Sequence, residues 1–352
     1  MVSIGDLLLL VDKTILNPWL AALGTAAIHY FTDNKFVLLP SDGLIPYTIA
    51  RPLPPILQKA VVVIALGLLL RTNRALSRRA LNNGVSDKYD WDKEIIVVTG
   101  GAGGIGAATV QKLASRGSKV VVIDVLDLTF TKPSNVYYYK CDLSNYEAVF
   151  AVAAKISKEV GDPTCVVACA GICRGKPILE ATKRDIELTF GVNNLGVIWT
   201  AKAFLPKMVQ ANHGHFLIIA SQTGHLATAG VTDYAATKAA AISIYEGLQT
   251  EMKHNYKAPA VRLSCLCPSA VKTKMFTGIK GPSNFFMPTL KPEDLGECIS
   301  NVLWSGKAQN LSIPAFAYIS PPTRALPDWM RVGMQDGGAD IMTELKPHKP
   351  LN

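Results

Sequence analysis

The chain lacks the features that mark zinc-binding, nucleic-acid-binding and secreted proteins. It has six histidines and seven cysteines among 352 residues, and no group of them has the spacing of a zinc site. The formal net charge is +9, but no basic patch interleaved with aromatic residues is present to bind nucleic acid. No lysine or arginine precedes the first apolar run, where Asp6 stands instead, so a signal peptide is not expected. We therefore expect neither a metal site nor a nucleic-acid partner.

The cysteines are odd in number and do not suggest a disulfide framework. Five of them fall in or beside predicted buried strands: Cys141, Cys165, Cys169, Cys265 and Cys267. We interpret them as reduced core cysteines in a domain that faces the cytosol. With 49% hydrophobic and 18% charged residues, the chain has room for one large domain plus additional segments, or for two small domains.

Residues 1–90 differ from the rest because they contain two apolar stretches, Ile15–Phe31 and Ala60–Leu70, separated by a proline-rich segment. Eleven residues of helix span about 16 Å, short of the ~30 Å hydrocarbon core, and seventeen lie at the lower limit of a span. The region is therefore interpreted as a membrane anchor, either a hairpin or helices lying in the interface. The alternative is that these helices pack on the following domain or pair in a dimer. The second stretch is followed by Arg71, Arg74, Arg78 and Arg79, which predicts that the following domain is cytosolic.

The next segment has the pattern of a dinucleotide-binding unit. Glu94–Gly100 is a short β-branched run, a glycine-rich turn follows, a helical pattern extends to Arg116, and Val120–Asp124 is a second buried strand. In such a turn Gly100 permits the tight exit from the strand, and Gly104 lets the backbone approach a pyrophosphate at the helix N-terminus. Gly106 lets the helix pack closely on the sheet. This order predicts an α/β fold of the Rossmann type, a doubly wound parallel sheet.

Carboxylates follow the second and third strands. Asp124 ends the second strand, where it would bind both adenosine ribose hydroxyls and repel a 2′-phosphate, and the glycine turn contains no lysine or arginine. We therefore expect NAD(H) in preference to NADP(H), with NADP(H) still possible. Asp142 follows the third strand and is expected at the adenine edge, although it could instead cap the helix over 145–160. Ala170 and Gly171 end the fourth strand, at the edge where ligands bind in such sheets.

The second half contains a candidate acid–base pair. Tyr234 and Lys238 lie four residues apart, on one face of a predicted helix. A phenol has a pKa near ~10, and a neighbouring ammonium should lower it. Ser221 follows the predicted strand 215–220, and Asn193 and Asn194 interrupt a helical pattern over 182–208, which suggests a local bulge or a bound water.

Residues 274–291 are expected to form a substrate loop, and residues 314–352 a tail that covers the pocket or touches a bilayer. The loop's apolar lining is expected to be Met275, Phe276, Phe285, Phe286 and Met287. Ordinary packing of a flexible loop is the alternative.

These motifs together resemble the short-chain dehydrogenase/reductase family over about residues 91–310. The matching positions are Thr99 to Gly106 (T-G-x-x-x-G-x-G), Asp142, Val192 to Gly196 (V-N-x-x-G), Ser221, Tyr234-x-x-x-Lys238 and Pro268 to Thr273 (P-x-x-V-x-T). Two positions differ from the family pattern. Ala168-Cys169 stands where many members have two asparagines that brace the sheet edge, and Pro268-Ser269 stands where many have Pro-Gly. We therefore predict domains at 1–90, 91–313 and 314–352, the second of them catalytic.

The resemblance implies reversible hydride transfer between a nicotinamide and an alcohol or carbonyl carbon. In the family, Tyr234 would be the acid–base group, and Lys238 would lower the Tyr234 pKa and bind the nicotinamide ribose. Ser221 would hold the substrate oxygen, and Asn193 would keep a water in a proton relay. The residues that it assigns to the dinucleotide are Gly100, Gly104, Ile105, Gly106, Asp124, Asp142, Leu143, Ala170, Gly171, Asn193, Tyr234, Lys238, Val271 and Thr273.

The N-terminal region resembles the subgroup that handles retinol, steroids and long-chain lipids. This likeness implies a lipophilic substrate and a location on the endoplasmic reticulum or lipid droplets. The family also implies a homodimer through helices 182–208 and 232–254. The competing interpretation is a non-catalytic NAD(H)-binding interaction module at a membrane, which would be expected to have lost at least one of Ser221, Tyr234, Lys238 and Asn193.

Overall fold

The computed structural model describes residues 3–14, 16–31, 55–277 and 285–339. The chain divides into two compact units, Val2–Ser77 and Arg78–Asn352 together with Met1. This division lies inside a helix, upstream of the boundary at residue 90 that the sequence predicts. Parts of the predicted proline-rich segment, substrate loop and tail, namely residues 32–54, 278–284 and 340–352, lie outside the described residues.

The described residues of the first unit lie almost entirely in helices. They are α1 (Ile4–Lys13), α2 (Pro18–Phe31) and most of α3 (Pro55–Leu81), which continues into the second unit. Arg74 of α3 pairs with Asp12 of α1 at 2.7 Å. Many apolar side chains are exposed, among them Leu10, Trp19, Leu23, Val62 and Leu69. Of the helices in the described ranges, none is long and apolar enough to cross a membrane.

The second unit is built on a parallel sheet of seven strands in the order β3-β2-β1-β4-β5-β6-β7. The strands are β1 (Ile95–Thr99), β2 (Lys119–Asp124), β3 (Val136–Lys140), β4 (Cys165–Ala168), β5 (His215–Ile219), β6 (Arg262–Pro268) and β7 (Asn310–Ile313). Their apolar, often β-branched residues are buried because helices cover both faces. The predicted doubly wound sheet is confirmed.

The described residues of this unit form seven further α-helices. They are α4 (Gly104–Ser115), α5 (Tyr146–Glu159), α6 (Lys183–Phe190), α7 (Gly196–Ala211), α8 (Thr232–His254), α9 (Pro292–Trp304) and α10 (Asp328–Asp336). A π-helical turn, Gly191–Leu195, joins α6 to α7, so the predicted helix over 182–208 is interrupted at Asn193 and Asn194, as the paired asparagines suggested. Two core clusters lie on opposite faces of the sheet.

The strand order reverses between β1 and β4, which opens a crevice at the carboxyl ends of these strands. Residues 82–94 are fastened at the other end of the sheet. The buried Arg262 donates from Nη1 to the Asn82 carbonyl oxygen at 3.0 Å and from Nη2 to that of Val85 at 2.7 Å. The side chain of Asn82 exchanges two hydrogen bonds with the backbone of Ala308. These contacts attach the end of α3 to β6 and to the start of β7.

Replacement of Arg262 by leucine tests this attachment. One buried and one partly buried carbonyl oxygen lose their donors, at a cost of about 1–3 kcal/mol each at most, so the free energy of unfolding should fall by roughly 2–5 kcal/mol. Denaturant titration measures the change. The matched control is Lys207→Met, which removes an exposed pair with Asp162 at 3.5 Å and should cost less than about 1 kcal/mol. Equal effects of the two substitutions would contradict this account of Arg262.

Candidate active site

A cavity of about 1700 Å³ occupies the crevice at the carboxyl edge of the sheet. All but one of the predicted site residues line it: Gly100, Gly104, Ile105, Gly106, Asp124, Asp142, Leu143, Ala170, Gly171, Ser221, Tyr234, Lys238, Val271 and Thr273. The exception is Asn193, which is buried behind the wall of the cavity. Residues from six of the seven strand ends and from the C-terminal segment therefore face one common space.

The glycine turn has the geometry that a pyrophosphate requires. Gly100 and Gly104 have positive φ angles of 67° and 54°, which other residues adopt only with strain. A Cβ on Gly100 would lie 2.6 Å from the Ala170 Cα, and a Cβ on Gly106 would collide with the Gly100 carbonyl oxygen. The N-terminus of α4 has no side-chain cap, so its free N–H groups and positive dipole end can receive phosphate oxygens.

Asp124 and Asp142 lie at the rim of the same cavity. The carboxylate of Asp124 accepts from the backbone N–H groups of Ala102 and Leu126, both at 2.9 Å. These two bonds fix its orientation and leave further lone pairs for a ligand's hydroxyl groups. Asp142 accepts from the backbone N–H and the hydroxyl of Ser144. The cap of α5 is Asn145 rather than Asp142.

Thr99 supplies the brace that the sequence appeared to lack. Its hydroxyl oxygen accepts from the N–H groups of Cys169 at 3.1 Å and Ala170 at 3.2 Å. The ends of β1 and β4 are thereby linked without the two asparagines of the family pattern. The sequence carried a signal for this, because a threonine directly before the glycine turn places its hydroxyl at the end of β1.

Tyr234, Ser221 and Lys238 meet at the base of the cavity. Ser221 and Tyr234 both line this part of the cavity, and the Nζ of Lys238 lies 5.6 Å from the centroid of the Tyr234 ring. The Nζ donates to the Ile219 carbonyl oxygen at 2.9 Å. The predicted pair therefore shares one face of α8, and the end of β5 supplies both the serine and the acceptor for the lysine.

In the free protein the pKa of Tyr234 is raised rather than lowered. Burial raises the pKa of Tyr234 above its ordinary value, and the neighbouring Ser221 side chain opposes this change only in part. Burial also lowers the pKa of Lys238. The physical reason is that both groups are almost fully enclosed, so that each favours its uncharged form.

Asn193 is held by the bulge between α6 and α7. Its Oδ1 accepts from the Ile172 N–H at 2.8 Å, and its Nδ2 donates to the Ile172 carbonyl oxygen at 2.9 Å and to the Thr237 hydroxyl at 3.0 Å. A Cβ on Gly171 would lie 3.4 Å from Asn193 Oδ1 and 3.5 Å from Lys238 Nζ. Asn193 and Lys238 thus flank the same glycine.

Apolar side chains line the other end of the cavity. Four of the five predicted loop residues do so, namely Met275, Phe276, Phe286 and Met287, and Phe285 instead packs edge-on against Phe286. The ring of Phe276 meets that of Tyr234 edge-on, with centroids 5.7 Å apart.

The C-terminal segment contributes Phe316, Ile319 and Ser320 to the cavity wall. The Nε2 of Gln222 donates to the Ser320 hydroxyl at 2.6 Å, and Arg324 donates to the carbonyl oxygens of Gly224 and His225. These residues were not predicted individually, because their contacts join segments about a hundred residues apart. Arg174, which also lines the cavity, was likewise not predicted.

Comparison with known proteins supports the family resemblance that the sequence motifs indicate. The family model for short chain dehydrogenase matches residues 94–282. Bovine (Bos taurus) short-chain dehydrogenase/reductase family 16C member 6 is 33% identical over 242 residues, covering 66% of this chain and 76% of that protein. Estradiol 17-beta-dehydrogenase 11 of Macaca fascicularis is 32% identical over 243 residues, with 67% and 80% coverage. Retinol dehydrogenase 10-B of Danio rerio is 35% identical over 231 residues, with 57% and 68% coverage.

Among solved structures, the closed form of serine dehydrogenase complexed with NADP⁺ aligns with a TM-score of 0.54 and 26% identity. The alignment covers 62% of this chain and 94% of that one. Together with the glycine turn and the serine, tyrosine and lysine at one cavity, these likenesses show that the chain belongs to the short-chain dehydrogenase/reductase family and is an oxidoreductase that uses a nicotinamide dinucleotide to interconvert an alcohol and its carbonyl compound.

Proposed function

We propose that the chain oxidises or reduces a lipophilic substrate at a membrane surface, with Tyr234 as its acid–base group. The observation that carries the proposal is the meeting of Ser221, Tyr234 and Lys238 at the base of a cavity whose far end is apolar. When it is bound, the dinucleotide supplies the hydride chemistry at its nicotinamide ring. The chain binds, orients and exchanges the proton.

Tyr234 moves the proton between its phenol oxygen and the substrate oxygen. Because burial raises its pKa, Tyr234 is a neutral phenol in the free protein and is ready to donate a proton to a carbonyl oxygen. In oxidation it must first lose its proton, which requires a positive charge nearby. Lys238 donates to the Ile219 carbonyl oxygen, and its Nζ lies 5.6 Å from the centroid of the Tyr234 ring. It is proposed to supply this charge and to bind the nicotinamide ribose as well.

Ser221 and Asn193 complete the proposed set. The Ser221 hydroxyl accepts from the Thr223 N–H and hydroxyl at 3.2 and 3.0 Å, which leaves its own hydrogen free to stabilise a developing alkoxide. Asn193 holds the backbone of Ile172 next to Gly171. We assign it to a water-mediated proton path that ends at Lys238.

The substrate is proposed to be a retinoid, steroid or long-chain alcohol or ketone. The apolar lining by Met275, Phe276, Phe286 and Phe316 supports this class, since such side chains stabilise a ligand through buried apolar surface. The relatives named for estradiol and retinol support it as well.

The membrane is the proposed location, on the endoplasmic reticulum or lipid droplets with the catalytic unit in the cytosol. The exposed apolar side chains of α1, α2 and α3 support this, because soluble proteins seldom expose so many close together. A homodimer through α7 and α8 is proposed by family likeness, and the exposed Phe190 and Leu195 next to α7 are compatible with such a face.

Tyr234→Phe tests the acid–base assignment. Turnover should fall by about 10²- to 10⁴-fold, the usual contribution of a positioned acid or base, while the dissociation constant of the dinucleotide changes little. The control is Tyr245→Phe on the same helix, since the buried Tyr245 hydroxyl has no hydrogen-bond partner among the described residues. Near-normal turnover of the Tyr234 variant would overturn the assignment.

Asp124→Asn tests the cofactor preference. With the negative charge removed, the ratio of NADP(H) to NAD(H) affinity should rise by about ten-fold or more, since repulsion of a 2′-phosphate is lost. Binding titrations with both dinucleotides measure the ratio. Asp127→Asn is the control, because Asp127 is exposed and lies just beyond the same strand. An unchanged ratio would show that Asp124 does not select the cofactor.

The double substitution Val62→Asp and Leu69→Asp tests membrane association. Both side chains are exposed on α3, and carboxylates there should abolish flotation of the full chain with phospholipid vesicles. The control is Leu76→Asp, an exposed position of the same helix beyond the apolar run. Flotation of all three proteins to the same extent would count against the membrane proposal.

A further inference from the structure

A buried cation lies in the wall of the cavity, outside the catalytic set. Arg174 lines the cavity and is only 9% exposed. Its Nε donates to Asp185 Oδ1 at 2.8 Å. Within the described part of the chain, no acceptor lies against its two terminal amino groups, Nη1 and Nη2. These two groups are not among the described atoms that are buried without a partner, so they reach the open space of the cavity and can donate to a ligand there.

Asp185 cannot satisfy the remaining donors because its own oxygens are already engaged. Oδ2 accepts from Lys176 Nζ at 2.7 Å and from the hydroxyl and N–H of Thr182 at 2.8 and 3.1 Å. These bonds hold the pKa of Asp185 well below its usual range. Two cations thus share one carboxylate, and the cluster of Arg174, Lys176 and Asp185 has one positive charge in excess.

A second cation faces the same space. Arg184, the neighbour of Asp185, is exposed and also lines the cavity. This wall therefore offers positive charge without a matching carboxylate. A low-dielectric wall with such an excess favours an anionic group in the adjacent cavity.

Arg174 is also close to the reacting residues along the chain. Ile172 exchanges two hydrogen bonds with the Asn193 side chain, and the buried Cys173 packs in one cluster with Val231 and Tyr234. Arg174 follows directly. Arg174 and Tyr234 thus line the same cavity, and the residue before Arg174 packs against Tyr234.

We propose that Arg174 is an anion-binding residue of the cavity, whose terminal amino groups bind phosphate or carboxylate oxygens of a ligand. The planar pair of N–H groups matches two oxygens of such a group, and Asp185 holds the guanidinium in a fixed orientation. The anion is either the pyrophosphate of the dinucleotide or a carboxylate on the substrate. The second source rests on the function proposed above, and it would extend the substrate class from neutral lipophilic alcohols to amphipathic ones such as ω-hydroxy fatty acids.

The first experiment uses the full chain and needs no turnover. Arg174→Met removes the donors, Arg174→Lys keeps the charge but not the paired geometry, and Lys176→Met removes the other cation on Asp185 while leaving Arg174 in place. Dissociation constants are measured by titration for NAD(H), for a fatty alcohol and for the fatty acid of the same chain length. Unfolding curves for each variant separate binding effects from loss of fold.

The two sources of the anion give different results. If Arg174 binds the pyrophosphate, Arg174→Met raises the dissociation constant of NAD(H) by about 10- to 100-fold, the factor expected for hydrogen bonds to a charged group. Lys176→Met leaves that dissociation constant unchanged. If Arg174 binds a substrate carboxylate, Arg174→Met raises the dissociation constant of the fatty acid by a similar factor. The dissociation constants of the fatty alcohol and of NAD(H) then stay unchanged. In both cases Arg174→Lys should fall between the wild type and Arg174→Met.

The proposal is overturned if Arg174→Met and Lys176→Met lower stability alike and leave all three dissociation constants unchanged, because Arg174 would then only support Asp185. It is also overturned if Arg174→Met weakens the binding of the fatty acid and of the fatty alcohol equally and leaves the binding of NAD(H) unchanged. These readouts are independent of turnover. An inactive enzyme that still loses anion affinity in Arg174→Met would refute the proposed function and leave the anion site standing.

Discussion

The close approach of β1 and β4 at their carboxyl ends is the constraint on which the site depends. Gly100 leaves β1 at a positive φ, directly against the Cα of Ala170, and a side chain on Gly100 would force the strands apart. The Thr99 hydroxyl binds the N–H groups of both Cys169 and Ala170, so the two strand ends are held by hydrogen bonds as well as by packing. This contact sets the floor of the crevice, and the N-terminus of α4 and the catalytic end of β5 both lie on its margins.

Burial at the base of this crevice has an electrostatic consequence. It raises the pKa of Tyr234 and lowers that of Lys238, so the free protein moves both groups towards their neutral forms. A phenolate beside an ammonium is therefore not the resting arrangement. In the function proposed above, the positive charge that lets Tyr234 act as a base is that of Lys238, whose own pKa burial lowers.

Much of this architecture could be predicted from the sequence, because its signals are local. The buried strands appear as apolar runs, the glycine turn has a fixed spacing, and Tyr234 and Lys238 lie one helical turn apart. Even the π-helical turn had a local signal in Asn193 and Asn194. The direction of the Tyr234 pKa change was not predictable, because it depends on how completely the assembled fold encloses the ring. Arg174 could not be predicted for a similar reason, because only the three-dimensional structure shows that its terminal amino groups have no acceptor among the described residues.

The wall that surrounds the substrate space is not independent of the catalytic residues. Gln222 directly follows Ser221, and its amide donates to Ser320 in the C-terminal segment and lies 3.5 Å from the sulfur of Met287 in the apolar loop. Arg324 donates to two carbonyl oxygens just beyond Gln222, those of Gly224 and His225. The position of Ser221 is thus set partly by segments that also shape the apolar end of the cavity. In the proposed function, where Ser221 holds the substrate oxygen, a change in the C-terminal segment that alters which substrate fits is therefore expected to affect the turn that carries the serine as well, through Gln222.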